Sequence, residues 1–448
     1  MLGFERAITV GQGRPTHTWC DGLVDSTTKK VNDSTIAAFS LTRRGGNMNN
    51  RYLPHILLIV GIALCSSCAS VPKLPEKVES ISEFEYYVNK AVESGTPPGM
   101  SFAVVKNDSI IYSKGFGWAD EPRQIRATAA TVYHWWSCTK IATAISLLQL
   151  QEEGKLSLSD PVVRYLPFFR VEYPSDTSKE VTILNLLNHT SGLTDPSVLT
   201  LVRWIHHESE PPVNQTALVR TILPAYARLK FEPGDHAQYS NIGYMVLGAV
   251  IEKVTGMTYE DYVRQHILQP LEMTHTDFLY TNAMGHDEAA GAHPTSSIMT
   301  PLLPFVAGSY IREVDGSHLW MERVYTNQTP STGLIGSATD AARLVAAYLN
   351  GGVHHGRRIL SKESIATMTY DGRIKTQTED SLNYRRQGIG WQIYGKSGRW
   401  VLTHDGGGPG FSTKIQLYPA ERLGFVLFTN DATCEPWKIL NLAGTLKW

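Results

Sequence analysis

Two β-rich stretches stand at opposite ends of this chain, with a long helix-rich middle between them. MSFAVVKNDSIIYSKGFG, from Met100, is two runs of β-branched and aromatic residues broken at Asn107-Asp108, the pattern of a hairpin. WVLTH, FSTKIQLY and GFVLFTN, from Trp400 onward, are three more strands, the last two joined by a PAER turn. Strands at both ends with helices between predict one antiparallel sheet built from both chain ends. The expected class is therefore α+β: that sheet flanked by helices, plus a helical subdomain inserted between its two halves. ISEFEYYVNKAVES, from Ile81, reads as a helix ahead of the first hairpin. The chain contains neither an internal repeat nor a low-complexity tract.

The front end reads as an address. In MNNRYLPHILLIVGIALCSSCAS, residues 48–70, Arg51 precedes an apolar run from Leu53 to Leu64. A membrane span needs about 20 apolar residues, so this run has the form of a secretory signal instead. LCSSCAS resembles a bacterial lipoprotein box with Cys68 as the lipid-bearing residue, although Cys65 stands where leucine is usual. Lipidation is the first expectation; ordinary secretion and a retained anchor are the alternatives. Signals begin at the initiator methionine, so translation is expected from Met48, with residues 1–47 a non-native leader or a disordered extension. The division is then 1–47 leader, 48–68 signal, 69–80 a Pro- and Lys-rich tether, and 81–448 one domain. The expected location is across the inner membrane, as a periplasmic or cell-envelope lipoprotein touching the membrane only through its lipid.

Composition narrows the partners. Forty-one Lys and Arg against 42 Asp and Glu leave the 448-residue chain nearly neutral, and no basic stripe offers itself to nucleic acid. Ten Trp and 20 Tyr suit a small-molecule pocket. No metal-type spacing occurs: HHES at His206 and GVHHG at His354 lack an i, i+4 pair and read as surface residues, so neither metal nor cofactor is expected. If Cys68 is acylated, only Cys138 and Cys434 remain in the mature body, and no structural disulfide is expected.

The chemistry lies in three short motifs. YHWWSCTKIATAISLLQLQEEGK, from Tyr133, sets apolar residues at Ile141, Ala144, Ile145 and Leu148, and Gly154 stops the helix. Ser137 then opens an amphipathic helix, with Lys140 three residues on along the same side. A hydroxyl there meets the positive end of the helix dipole and free backbone N–H groups, and a lysine in a dry pocket gives up its proton readily. On local grounds a nucleophile with its base and a helix-start serine with a snorkelling lysine fit equally. Ser-x-x-Lys also occurs at Ser26 and Ser70, in the leader and tether, where nothing orders it. Tyr239-Ser240-Asn241 follows a Pro-Gly turn and precedes an apolar helix ending at Gly256; the Tyr-x-Asn copies at Tyr87, Tyr280, Tyr325 and Tyr348 lack that context. His404-Asp405-Gly406 stands between a strand and a glycine-rich turn, whereas the His-x-Gly at His354 follows a helix.

In this order the motifs resemble those of the serine β-lactamase and penicillin-binding protein superfamily, in its branch of class C β-lactamases, D-alanyl-D-alanine peptidases and β-lactamase-like esterases. LLNHTSGL at Leu186, FEPGDHAQYSN at Phe231, QPLEMTHTDF at Gln269 and STGLIGSATDAARL at Ser331 extend the resemblance from about residue 85 to the end. It implies Ser137 as the acylated nucleophile, Lys140 as its base and Tyr239 as the phenol that passes a proton to the leaving group. It implies Asn241 on the substrate carbonyl or on Lys140, and His404 and Gly406 as the third motif. The N–H groups of Ser137 and Gly407 are the implied oxyanion donors, each worth about 3 kcal/mol. The deacylating glutamate of class A relatives has no counterpart, which leaves that step to Tyr239. Histidine instead of lysine in the third motif favours esters or peptide-like amides, cleaved by an esterase or D-amino-acid peptidase. A class C-like β-lactamase and a sensor acylated once without turnover are the alternatives. Asp405 reads as added negative charge by the cleft or as a strand-end surface residue. Tyr133, His134, Trp135 and Trp136 read as core packing first and as a lining of the acyl pocket second, and Cys138 as buried in the helix packing.

Overall fold

Asn107 takes φ 60°, the left-handed conformation that a tight hairpin turn needs, and closes β1 (Gly99–Lys106) on β2 (Ser109–Asp120). The computed structural model describes residues 74–448 except 176–178, 198–203, 207–212, 298–299, 301–307, 371–374, 381–382 and 397–398. The leader, the signal-like segment with Cys68 and residues 69–73 of the tether lie outside the described residues.

Among the described residues the main sheet has nine strands. The others are β3 (Ile125–Arg126), β4 (Lys375–Asp380), β5 (Asn383–Gln387), β6 (Gln392–Lys396), β7 (Arg399–Gly408), β8 (Phe411–Tyr418) and β9 (Leu423–Thr429). Their order is β4-β5-β6-β7-β8-β9-β1-β2-β3, with every neighbour antiparallel. The two ends of the chain meet where β1 pairs with β9, Val104 opposite Phe425. This is the expected α+β arrangement. Both faces of the sheet are covered, which is why β1 shows no polar alternation. Phe102 and Val104 pack with Phe84 and Val88 of α1 (Ile81–Glu93) and with Leu440 of the C-terminal helix, while Ala103 and Val105 join the larger core on the other face. Each such large apolar side chain contributes about 1.5–3 kcal/mol by burial. Val78 belongs to the first of these clusters and its N–H donates to Thr445 Oγ1 at 3.2 Å, so packing begins inside the stretch read as tether.

The helical middle centres on α2 (Lys140–Glu152) and α3 (Asn241–Thr255). α2 departs from the expected amphipathic helix: every residue from Lys140 to Leu150 is buried. Its apparent polar stripe donates to partners inside the fold. Thr143 Oγ1 donates to the Pro330 carbonyl (2.6 Å), Ser146 Oγ to Ala142 (2.9 Å) and Gln149 Nε2 to Ile359 (2.9 Å). α3 is capped by Ser240 and ends at Gly256 with φ 74°. Ser337 caps α4 (Ala338–Leu349) in the same way, its Oγ accepting from Asp340 N–H.

His206 and His354 correct their reading as surface residues, since they are 7% and 4% exposed. Each lies in a two-residue strand turned inward, and burial lowers the pKa of His354, which stacks on His355 at 4.0 Å. Cys138 and Cys434 are free thiols.

Gly248 on α3 lies flat against Pro330: a Cβ there would sit 2.1 Å from Pro330 Cγ. Gly248→Ala should therefore force α3 and residues 329–332 apart and destabilise the protein by about 1–3 kcal/mol. The urea midpoint measures this; an unchanged midpoint means that the Pro330 segment yields freely.

Candidate active site

Trp136 has φ 46°, a left-handed conformation that costs a bulky residue about 1–3 kcal/mol. The neighbourhood holds it there. Trp135 N–H donates to the Leu334 carbonyl (2.8 Å), Thr413 Oγ1 donates to the Trp135 carbonyl (2.9 Å), and the His134 ring stacks on Trp136 at 4.8 Å. The result is a tight 3-10 turn, Trp136–Thr139, immediately ahead of α2. Ser137 sits in that turn and not in the first turn of the α-helix as expected; it is half-buried among fully buried neighbours.

Lys140 is completely buried and makes three contacts. Its Nζ donates to Asn241 Oδ1 at 2.7 Å and to the Ser331 carbonyl at 3.0 Å, and lies 3.3 Å from Ser137 Oγ. Burial pulls its pKa from the ordinary lysine range down to about 7, against the opposing pull of Asp195. A neutral amine has two hydrogens and one lone pair. Asn241 and Ser331 take the hydrogens, and the lone pair is left for the Ser137 hydroxyl. The Tyr239 ring lies 4.7 Å from Nζ, and its phenol hydrogen-bonds with Ser137. Burial raises the phenol well above its usual pKa, so it stays protonated.

The third motif arrives on β7, which runs through it to Gly408 instead of ending in a turn before it. Gly406 is pressed on the Ser137 turn: a Cβ there would lie 2.1 Å from the Trp135 carbonyl and 2.2 Å from Thr413 Oγ1. Gly407 is exposed, with open space where a side chain would be. His404 is 2% exposed, its ring 6.5 Å from that of Tyr239, and burial lowers its pKa to about 4. Strand alternation turns Asp405 to the opposite face, where it pairs with Lys414 across β8. It adds no free charge to the cleft.

Thus Ser137, Lys140, Tyr239, Asn241 and His404 converge, with the backbone of Gly406 and Gly407 beside them, while Cys68 lies outside the described residues. Two neighbours have no counterpart in the motif reading. His189, at φ 62°, accepts the Ser240 N–H on Nδ1 (3.1 Å), and its ring packs tilted against that of Tyr239 at 4.4 Å. Asp195 accepts hydrogen bonds from Ser240 Oγ, Asn241 N, Asn241 Nδ2 and Ile242 N. Both sit in HTSGLTDPS, where they look like ordinary turn residues. His189 falls within the LLNHTSGL stretch that extends the resemblance, although the resemblance attaches no role to it, whereas Asp195 lies just beyond that stretch with only the polar content of the loop as a signal.

A cavity of about 990 Å³ adjoins the site, lined by Tyr280, Met321 and the Arg312–Asp120 ion pair among others, and none of the motif residues lines it. Of its lining residues, His134 stacks on Trp136 of the Ser137 turn, and its ring lies 5.3 Å from that of Phe411. Convergent polar groups with displaced pKa values, not volume, single out the Ser137 cleft.

The sequence profile of the Beta-lactamase family matches residues 84–441. "Protein flp" of Staphylococcus aureus (strain MW2) is 27% identical over 352 residues, 79% of this chain and 63% of that protein, so the chain spans less than two thirds of this relative. A "Putative D-alanyl-D-alanine carboxypeptidase" of Escherichia coli (strain K12) is 27% identical, over 76% of this chain and 80% of that one. Among solved structures, the octameric penicillin-binding protein homologue from Pyrococcus abyssi superposes with TM-score 0.66 at 26% identity, over 81% of this chain and 76% of its own.

Cys138, next to Ser137, is fully buried; its Sγ donates to the His404 carbonyl (3.3 Å), and burial pushes the thiol up to about 12. A thiol reagent at pH 8 should leave it unlabelled in the native protein and label it in urea, as peptide mass mapping reads. Native labelling would refute this burial.

Proposed function

Since the chain belongs to the beta-lactamase family, its profile taking in residues 84–441, we propose that it is a serine hydrolase cleaving small esters or amides through an acyl-enzyme on Ser137. Lys140 starts as the neutral amine and takes the Ser137 proton as Oγ attacks the substrate carbonyl carbon. The carbonyl electron pair moves to oxygen, toward the N–H groups of Ser137 and Gly407. Tyr239, a neutral phenol bonded to Ser137, gives its proton to the leaving group and recovers one from Lys140. Water then attacks the acyl carbon: the neutral Lys140 amine takes its proton, the bond to Ser137 Oγ breaks as the acid product leaves, and Lys140 returns a proton to Oγ, directly or with Tyr239 passing one on as it receives another.

The substrate class rests on His404. Its Nδ1 lies 2.9 Å from the Asp405 carbonyl, which can only accept, so Nδ1 holds the proton and Nε2 presents a lone pair. With the pKa lowered to about 4, the third motif carries no cation at neutral pH. A bare lone pair repels a substrate carboxylate, whereas a neutral ester meets no such cost. Ester cleavage is the leading reading. Cleavage beside a D-amino acid is the second, supported by the name and coverage of the Escherichia coli relative. Substantial β-lactam turnover is not expected. Export and attachment through Cys68 are part of the proposal and rest on residues 48–68 alone; palmitate incorporation unaffected by Cys68→Ser would remove the anchor.

Ser137→Ala should abolish activity without unfolding, and Lys140→Ala and Tyr239→Phe should each lose at least about a hundredfold. Because the unprotonated amine is the working form, kcat/KM should rise with pH up to about 7 and level above it. Near-normal rates in all three variants would end the proposal. A parallel panel of a short p-nitrophenyl ester, a D-Ala-D-Ala peptide and nitrocefin should rank the ester first. Fast turnover of nitrocefin alone contradicts the His404 argument, and a permanent fluorophosphonate or penicillin adduct with no turnover of any substrate points to a sensor.

A further inference from the structure

The amide of Asn241 faces two ways. Its Oδ1 accepts from Lys140 Nζ at 2.7 Å, and its Nδ2 donates to Asp195 Oδ2 at 2.8 Å. The two edges are nearly equal in shape, so packing alone cannot keep the amide from turning over. Turned over, it would aim Nδ2–H at the amine, and the Lys140 lone pair would accept that hydrogen in place of the Ser137 proton.

Asp195 removes this freedom. A carboxylate is an acceptor on both oxygens. Oδ1 accepts from Ser240 Oγ (3.0 Å), Asn241 N–H (2.7 Å) and Ile242 N–H (3.1 Å), and Oδ2 from Asn241 N–H (2.8 Å) as well as Nδ2. The backbone donors belong to the first turn of α3, whose positive end suits the anion. Held there, Asp195 has only an acceptor to offer the Asn241 side chain, and an amide oxygen turned toward it would be repelled. We infer that Asp195 is a positioning residue for acylation: it locks the Asn241 amide with Oδ1 toward Lys140, so that the Lys140 lone pair is left for the Ser137 hydroxyl. The inference rests on the reading of Ser137 as nucleophile and Lys140 as base. The step it serves is balanced: the proton leaves Ser137 Oγ for Lys140 Nζ as the Oγ–carbon bond forms and the carbonyl pair moves to oxygen.

Asp195→Asn is the direct test. The backbone N–H groups of α3 would claim the single oxygen of the new side chain and leave its NH2 facing Asn241 Nδ2. Two donors in contact are relieved when the Asn241 amide turns over. With the ester substrate, kcat/KM should fall at least about tenfold on its high-pH plateau, a part of what a general base contributes. The groups around Lys140 are Asp195, the Cys138 thiol, the rings of Tyr239 and Tyr244, the imidazoles of His189 and His404, and the Ser331 carbonyl. Asp195 raises the Lys140 pKa, so removing its charge should also move the acid limb of the profile to lower pH. Ser240→Ala is the control. It removes one bond to Asp195 and the Ser240 cap on Gly243 N–H but leaves the Asp195–Asn241 bonds. It should lower Tm with plateau and acid limb unchanged.

Wild-type plateau and acid limb in Asp195→Asn, with Ser137→Ala inactive, overturn the inference and leave the proposed function standing. A lowered plateau with an unmoved acid limb, matched by Ser240→Ala, reduces Asp195 to a helix cap and overturns it too. Full activity in Ser137→Ala removes the reading on which it rests. Should Asp195→Asn not fold, Asp195→Glu keeps the charge but displaces the carboxylate by one methylene. The plateau should then fall while the acid limb stays in place, and an unchanged plateau overturns the inference.

Discussion

An ammonium ion shut away from water is the constraint around which this site is built. α2 is buried on every side, and so is the lysine at its start. Charge there is expensive, and the amine escapes the expense by holding its proton loosely, with a pKa near 7. The same burial sets the states of its neighbours: Tyr239 keeps its proton and His404 stays neutral. Desolvation, more than any single ion pair, decides which groups give and which accept.

Convergence has its own requirements. β7 reaches the Ser137 turn because Gly406 has no side chain to meet the Trp135 carbonyl. The turn itself is strained at Trp136, and Thr413, Leu334 and the His134 ring hold it in place. α3 brings Tyr239 and Asn241 from the opposite side, and its start is bound by Asp195 and His189. Each of the three segments is fixed by contacts with residues outside the three motifs.

The sheet built from both ends was legible because β-branched runs and an Asn-Asp turn are local signals, and the structure pairs them as expected through β1 and β9. The three motifs were legible because each sits where a helix or strand begins or ends. Other features depend on tertiary surroundings that no local pattern carries. Thr143, Ser146 and Gln149 mimic a solvent-facing stripe but find partners inside. His206 and His354 look like surface residues until their strands turn inward. Asp195 is one more loop aspartate until α3 supplies the donors that it binds. The placement of Asp405 away from the cleft follows from alternation once β7 is known to continue through the motif.

The junction between β1 and β9 has a consequence for how the molecule comes into being. A nascent chain releases the first hairpin from the ribosome long before the strand that must lie beside it. Until then the hairpin has a bare edge, and its face at Ala103 and Val105, away from α1, lacks the core that later covers it; such waiting strands are the ones that aggregate. Contacts this distant in sequence also make for slow closure of the sheet. Maturation therefore depends on keeping the early segment apart from its like until synthesis is complete, a demand on chaperoning that the finished fold no longer displays.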